Sequence, residues 1–295
     1  METLHVVLVA VVLPIVLAFI MFSLGLGLKG EDFARVFQQP KVFAVGLLNQ
    51  LVLLPLVAFG LVLAFDLPPI LAVGTMILAL CPGGVTSNML TRLANGAPPL
   101  SISLTAVASL LSVLIVPWGV AWSIGHFKVQ QSREVDVTAM GIQMFLLTAV
   151  PVVIGMVLTA KVPGLVQKIS KTVSHIALVL FILIVVLAIK ANWTALMKYF
   201  PTLGPALLAL MIIMLALGLI TGKLLRVTSK EATTISLESG IQNATLGLFV
   251  AKFVGEPALQ NELSDSALPS AVYGVMMYLI VIPFVLWRKK VHRGE

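Results

Sequence analysis

Apolar runs of about twenty residues recur along the whole chain, each closed by a short stretch carrying glycine, proline, asparagine or charge. At a rise of 1.5 Å per residue, about twenty helical residues cover the roughly 30 Å of a bilayer's hydrocarbon core. The pattern predicts nine helical spans, at 5–28, 41–64, 69–95, 98–124, 137–160, 172–190, 201–224, 232–254 and 266–287. The longest hydrophilic interval is about a dozen residues, around HFKVQQSREVDV. The chain therefore reads as an all-α, polytopic membrane protein in which residues 1–295 form one transmembrane domain, and its chemistry must lie within the bilayer.

Two spans break the pattern. The third, PPILAVGTMILALCPGGVTSNMLTRLA, is interrupted near its centre by Cys81-Pro82-Gly83-Gly84, followed by Thr86, Ser87 and Asn88. Proline removes a backbone hydrogen bond and glycine permits conformations other residues avoid, so the helix is expected to unwind there. A proline kink in a packing helix is the bland alternative; the second glycine and the polar run weigh against it. Unwound backbone at membrane depth is tolerated where it is packed in protein or lines a wet cavity. In the eighth span, ATTISLESGIQNATLGLFVAKFV, Glu238 is the one acidic residue of twelve that falls inside a span. A carboxylate at that depth costs about 2.5–3.5 kcal/mol on insertion scales, and something must compensate it. Ser239, Gly240, Gln242 and Asn243 follow at once and make a second break near the midplane.

Spacing lets these groups converge. Spans three and four form a hairpin turning near Asn95 to Pro98, so Asn88 and Thr105, each about eight residues from the turn, should share one depth. Ser101 and Thr105 lie four apart on one helix face. Taken singly, these two and Gln50 in span two read as polar packing residues. Around a carboxylate they make an oxygen-only set suited to a hard cation, and no soft donors suited to zinc, copper or iron accompany them. Spans three and eight, five apart in order, run oppositely through the bilayer, so the two broken helices could cross in an inverted repeat. That pairing matches span one with six, two with seven and four with nine, and leaves five alone.

Composition sharpens the class. Hydrophobic residues make up 59% of the chain and charged residues 11%, against about 25% charged in soluble domains. A net charge of +7 is compatible with nucleic-acid binding, but the basic residues sit in short loops between spans, which argues against it. With the C-terminal WRKKVHRGE placed in the cytoplasm, 14 of 19 lysines and arginines lie inside, which orients the N-terminus outside. The expected location is the cell (inner or plasma) membrane, with no nucleic-acid partner and no oligomer required. The single cysteine, Cys81, excludes an intramolecular disulfide, and the four scattered histidines form no HExxH pair. An intramembrane enzyme is disfavoured because aspartyl proteolysis needs two apposed carboxylates and a zinc protease needs its histidines. Trp118, Trp122, Trp193 and Trp287 fall near span ends as an interfacial belt, and EDFARVFQQPK reads as an amphipathic surface helix.

CPGGVTSNMLTRLANG and LESGIQNATLGL, together with IMFSLGLGLKGEDFARVFQQPK after the first span, resemble the bile acid:sodium symporter family over nearly the whole chain. The resemblance implies a core domain with two crossed broken helices, here roughly 41–124 and 201–287, and a panel domain, roughly 5–28 and 137–190. It matches the nine-helix form of that family. It also implies two sodium sites, the first using Ser87, Asn88, Ser101, Thr105 and Glu238. The second would use Gln50, Glu238 and Gln242 with backbone carbonyls near Ser239 and Ile241. The expected function is symport of a small organic anion with sodium by alternating access, the solute lying near Val85, Thr86 and Asn243. A proton-coupled carrier or exporter using Glu238 as its proton site remains the alternative. Where some bacterial relatives carry a polar His-Asn pair on the last helix, this chain has Met276, Met277 and Tyr278.

Overall fold

The computed structural model describes residues 11–129, 136–254 and 264–293. Among these residues the fold is entirely helical and forms no strand. We number the helices α1 (Leu13–Leu26), α2 (Gly30–Gln38), α3 (Pro40–Ala64), α4 (Pro69–Leu80), α5 (Val85–Leu93), α6 (Pro98–Phe127), α7 (Val137–Lys161), α8 (Pro163–Ala191), α9 (Trp193–Leu224), α10 (Ser229–Gly240), α11 (Ala244–Ala251) and α12 (Leu268–Val291). The start of the expected first span, 5–10, lies outside the described residues.

Six stretches are long and apolar enough to cross a bilayer unaided: α3, α6, α7, α8, α9 and Asp265–Val291, which contains α12. A seventh passes the same test if α1 is counted with α2, which follows it at a bend of 70°. The expected third and eighth spans are each a pair of shorter helices, α4 with α5 and α10 with α11. Length and hydropathy count whole rods, so a span divided by a polar break escapes them.

Boundaries shift where polarity hides a helix. α8 begins at Pro163, nine residues before the expected 172, because PGLVQKISK places its lysines on an exposed side without interrupting the helix. α9 begins at Trp193 and carries Pro201 and Pro205 inside it. Asp66, Asn95, Lys128 and Arg226 take positive φ just beyond the ends of α3, α5, α6 and α9, the left-handed conformation that commonly terminates helices.

The helices sort by burial. Every residue from Ala232 to Ala251 is buried, so the second broken helix runs through the centre of the bundle. Helix α9 packs along α10, α4 along α6, and α12 against α4, α9 and α11. Helix α1 packs chiefly on α7 and α8, whose outward faces expose Ile142, Leu146, Val179 and Leu183, the arrangement expected toward lipid. Helices α3 and α7 each contain one π-turn, at Asn49–Leu53 and Phe145–Ala149. The first turns both Asn49 and Gln50 into the protein, where two consecutive side chains of a regular helix would diverge.

Candidate functional site

The two breaks meet. Helix α4 stops at Leu80, Cys81 is extended, and α5 restarts at Val85. Helix α10 stops at Gly240, Ile241 is extended, and α11 restarts at Ala244 with the Asn243 side chain accepting a hydrogen bond from the Leu246 amide at 3.0 Å. Gly83 and Gln242 form an isolated antiparallel bridge, and the Asn243 amide donates to the Pro82 carbonyl at 2.9 Å. Other freed carbonyls find side-chain donors: Gln50 Nε2 reaches the Cys81 oxygen at 3.1 Å and the Tyr273 hydroxyl reaches the Gly240 oxygen at 2.9 Å. These backbone groups freed by each break are therefore satisfied by the other break and its neighbours, as burial requires.

Glu238, 5% exposed, stands beside this crossing on α10. Its Oε1 accepts from Ser87 at 2.6 Å and from Ser101, and its Oε2 accepts from Thr105 at 2.7 Å. Asn88 Oδ1 lies 2.8 Å from the Ser101 hydroxyl. Helices α5, α6 and α10 thus bring Ser87, Asn88, Ser101, Thr105 and Glu238 into one cluster, as their spacing predicts.

The cluster is short of hydrogens. Ser87 also faces the Gly84 carbonyl at 2.7 Å and Thr105 the Ser101 carbonyl at 2.9 Å, so three hydroxyls, each with one hydrogen, face six acceptor contacts. Turning the Asn88 amide over supplies one further donor. Oxygen atoms held this close around a buried carboxylate attract a positive charge, and all are hard donors of the kind alkali and alkaline-earth ions take. Gly83 is where the chain must have no side chain: a Cβ there would sit 2.8 Å from Glu238 Oε2.

The second expected set assembles in part. Gln50 Nε2 donates to Gln242 Oε1 at 2.9 Å, and Gln242 Nε2 donates to the Ser239 carbonyl at 2.8 Å. Gln50 Oε1 is buried with no hydrogen-bond partner among the described residues. An unpaired amide oxygen in this position costs about 1–3 kcal/mol unless a donor or ion meets it. The Ile241 carbonyl faces the first break, 3.6 Å from where a Cβ on Gly83 would lie.

A cavity of about 570 Å³ opens beside the crossing, between α1 and α8 on one side and α5, α6, α11 and α12 on the other. Thr86 and Asn243 line it, as expected of them. The side chain of Val85 lies outside the described residues. Met277, one of the last-helix residues singled out above, lines it too, and so does Thr245, a lone threonine in an apolar helix that carries no signal before the fold places it.

Such a fold, with crossed half-helices, a buried oxygen cluster and an adjoining cavity, defines a polytopic membrane carrier. Residues 14–199 match the Sodium Bile acid symporter family, and the chain belongs to that family. Its members are transporters and not enzymes. The chain is 27% identical over 290 residues to a Bacillus subtilis protein described as an uncharacterized sodium-dependent transporter, covering 96% of this chain and 85% of the relative. It is 28% identical over 295 residues to the human ileal sodium/bile acid cotransporter, covering 97% and 82% of the two. Against the human sodium-dependent organic anion transporter it is 29% identical over 240 residues, 79% of this chain and 61% of the relative.

Proposed function

We propose that this protein is a sodium-coupled symporter of an organic anion that works by alternating access. The observation that carries the reading is the Glu238 cluster, in which three hydroxyls meet six acceptor contacts around one carboxylate. One sodium ion there, held by Ser87, Asn88, Ser101, Thr105 and Glu238, relieves the hydrogen deficit. A second, held by Gln50, Glu238, Gln242 and the carbonyls of Ser239 and Ile241, meets the orphaned Gln50 oxygen. The relatives named for sodium-dependent transport of bile acids and organic anions support the same coupling.

Charge explains the coupling. Two sodium ions, the Glu238 carboxylate and a monoanionic solute sum to zero, so the loaded core crosses without uncompensated charge. The empty core keeps one buried carboxylate. Ions that order the crossing prepare Thr86, Asn243 and the neighbouring backbone of Val85 for the solute, which is a coupling between two sites through a shared conformation. The amide ends of α5 and α11 add a favourable field for an anion.

The nine crossings of this reading are the six long helices, α1, and the pairs α4–α5 and α10–α11. The core is α3–α6 with α9–α12, spans three and eight being its inverted halves, and the panel is α1, α7 and α8. The N-terminus lies outside and the C-terminus in the cytoplasm, so the part of the cavity lined by Arg92 and Lys171 faces inward. No oligomer is needed.

Uptake of a labelled bile acid into proteoliposomes, driven by an inward sodium gradient or by potassium at equal ionic strength, tests the proposal. Sodium should stimulate uptake, and Glu238→Ala should reduce that stimulation about a hundredfold, the scale of losing a buried charge partner. Sodium-independent uptake unchanged by Glu238→Ala would overturn it. Uptake driven by a pH gradient alone would move the coupling from sodium to a proton on Glu238.

A further inference from the structure

One polar side-chain contact joins the proposed core to the proposed panel. Lys252, the residue that closes α11, donates from Nζ to Oε1 of Gln143 on α7 at 3.0 Å. Among the described residues, no other side-chain hydrogen bond and no ion pair runs between α1, α7 or α8 and the remaining helices; Ser23 with Ser174 and Thr159 with Leu26 tie the panel only to itself. The ammonium is aimed by its own segment. It lies 4.2 Å from the centre of the Phe249 ring and 5.0 Å from that of Phe253, the two rings standing edge to face with centres 5.7 Å apart. Phe249 is fully buried and Lys252 half-buried. Ring faces attract a cation but accept no ordinary hydrogen bond from it, so Gln143 is the acceptor this side chain meets among the described residues.

The contact lies on the far side of the crossing from the cavity. The cavity takes α11 only by its first residues, Ala244 and Thr245, and takes nothing from α7. Lys252 stands about 10 Å beyond Thr245 by the helical rise. Gln143 lies near the start of α7, whose other end, Lys161, leads into the part of α8 that lines the cavity; the two are about 27 Å apart by the same rise. On the orientation proposed above, this far side is the outer face. A carboxylate facing Lys252 would bind the two groups of helices firmly. A neutral amide holds the cation less tightly, so the contact can bias a closed state and still part within a working cycle.

We propose that Lys252 and Gln143 form the latch of the outer passage: paired, they hold α11 to α7 while the cavity is open on the other side, and they part each time the carrier opens outward. The inference rests on the alternating-access reading. Phe249 and Phe253 keep the ammonium poised over the gap, so that the latch re-forms on closure. Charge sets the sign of each substitution. Removing either partner favours the outward-open form, and giving Lys252 a carboxylate to meet favours the closed one.

Spin labels on Ala64→Cys, at the outer end of α3, and Thr138→Cys, in the first turn of α7, report the separation of core and panel by pulsed electron resonance. Both positions are exposed and the native Cys81 is buried. The full chain is measured in nanodiscs in sodium and in potassium, and variants are compared in whichever cation gives the wild type its larger open fraction. Lys252→Met and Gln143→Leu should each lower the ratio of closed to open populations about tenfold, and Gln143→Glu should raise it by about as much, the scale of one charge-assisted hydrogen bond. Lys252→Arg keeps a cation beside both rings and should stay within about threefold of the wild type. Populations unmoved by Lys252→Met and Gln143→Glu overturn the latch. So does a shift of Gln143→Leu and Gln143→Glu in one direction, which is what a side chain that merely packs would give. Should Lys252→Met fail to fold, Gln143→Glu and Lys252→Arg decide by the same signs. Sodium separates the two readings. If sodium leaves the wild-type populations unmoved while Gln143→Leu still opens the outer end, the latch stands and sodium coupling falls; if sodium moves them and the Gln143 variants do not, coupling stands and the latch falls.

Discussion

The two helix breaks that cross at the centre of this protein are made by different means. The first is written into covalent chemistry: Pro82 has no amide hydrogen, and Gly83 leaves room for the opposing break, so α4 cannot continue into α5. Helix α5 then restarts without a side-chain cap. The second break contains no proline. It is held open by partners, namely the Gly83–Gln242 bridge, the Asn243 amide on the Pro82 carbonyl, the Tyr273 hydroxyl on Gly240 and the Asn243 cap of α11. A break imposed by its own residues persists whatever surrounds it, whereas one held by partners responds when those partners shift. Glu238 lies on the responsive arm, three residues before Ile241, so the sodium binding we propose would act where the backbone is conditional.

Substitutions at the crossing can break or sharpen this contrast. The largest effect should come from Gly83→Ala. Its methyl would lie 2.8 Å from Glu238 Oε2 and must displace the carboxylate from Thr105, whereas a methyl on Gly84 meets nothing closer than 3.4 Å. Sodium affinity, read from sodium-dependent thermal shifts, should fall at least about tenfold for Gly83→Ala and less than about threefold for Gly84→Ala, the first losing a charge-assisted hydrogen bond. If the two alanines behave alike, close approach is not why the first arm carries glycine.

Asn243→Ala removes the cap of α11, worth about 1 kcal/mol, and should lower Tm by roughly 2–4 °C. Asn243→Ser keeps an uncharged capping oxygen and should recover most of that loss while removing the unpaired Nδ2 donor, so its solute affinity falls although its Tm does not. The effect of Tyr273→Phe should be of that same order, since leaving the Gly240 carbonyl without its donor costs about 1 kcal/mol, the low end for an unpaired buried acceptor. Amide exchange at Ile241 and Gln242 should accelerate in this variant while exchange at Cys81 stays unchanged. Equal acceleration at both breaks would show that they open together.

Much of this was legible before folding. Pro82 and the paired glycines announced the first break, and a lone glutamate in an apolar run announced the buried oxygen cluster, because both violate the rules of a bilayer span so plainly. The hairpin count from Asn95 placed Asn88 and Thr105 at one depth, and they meet through Ser101 and Glu238. Other features left no mark in the letters. The π-turn at Asn49–Leu53 depends on one extra residue per turn and not on any residue type, so Gln50 could be suspected but not aimed. Helices α8 and α9 start earlier than hydropathy places them, since charged turns at a membrane edge keep helical hydrogen bonds. Tyr273 caps a helix 33 residues away, and no local pattern encodes a contact at that separation.

Helices α1 and α7 touch through glycine on both sides. A Cβ on Gly25 would lie 2.2 Å from the Val152 carbonyl oxygen, and one on Gly155 would lie 2.7 Å from the Gly25 backbone. Thr159 adds a hydrogen bond to the Leu26 carbonyl at 3.0 Å. Two rods seated that closely can neither slide nor roll without collision, so they act as a single stiff plate. On the proposed alternating-access reading, the gap that lets cargo pass would open elsewhere, along the face that α1 and α8 turn toward the cavity.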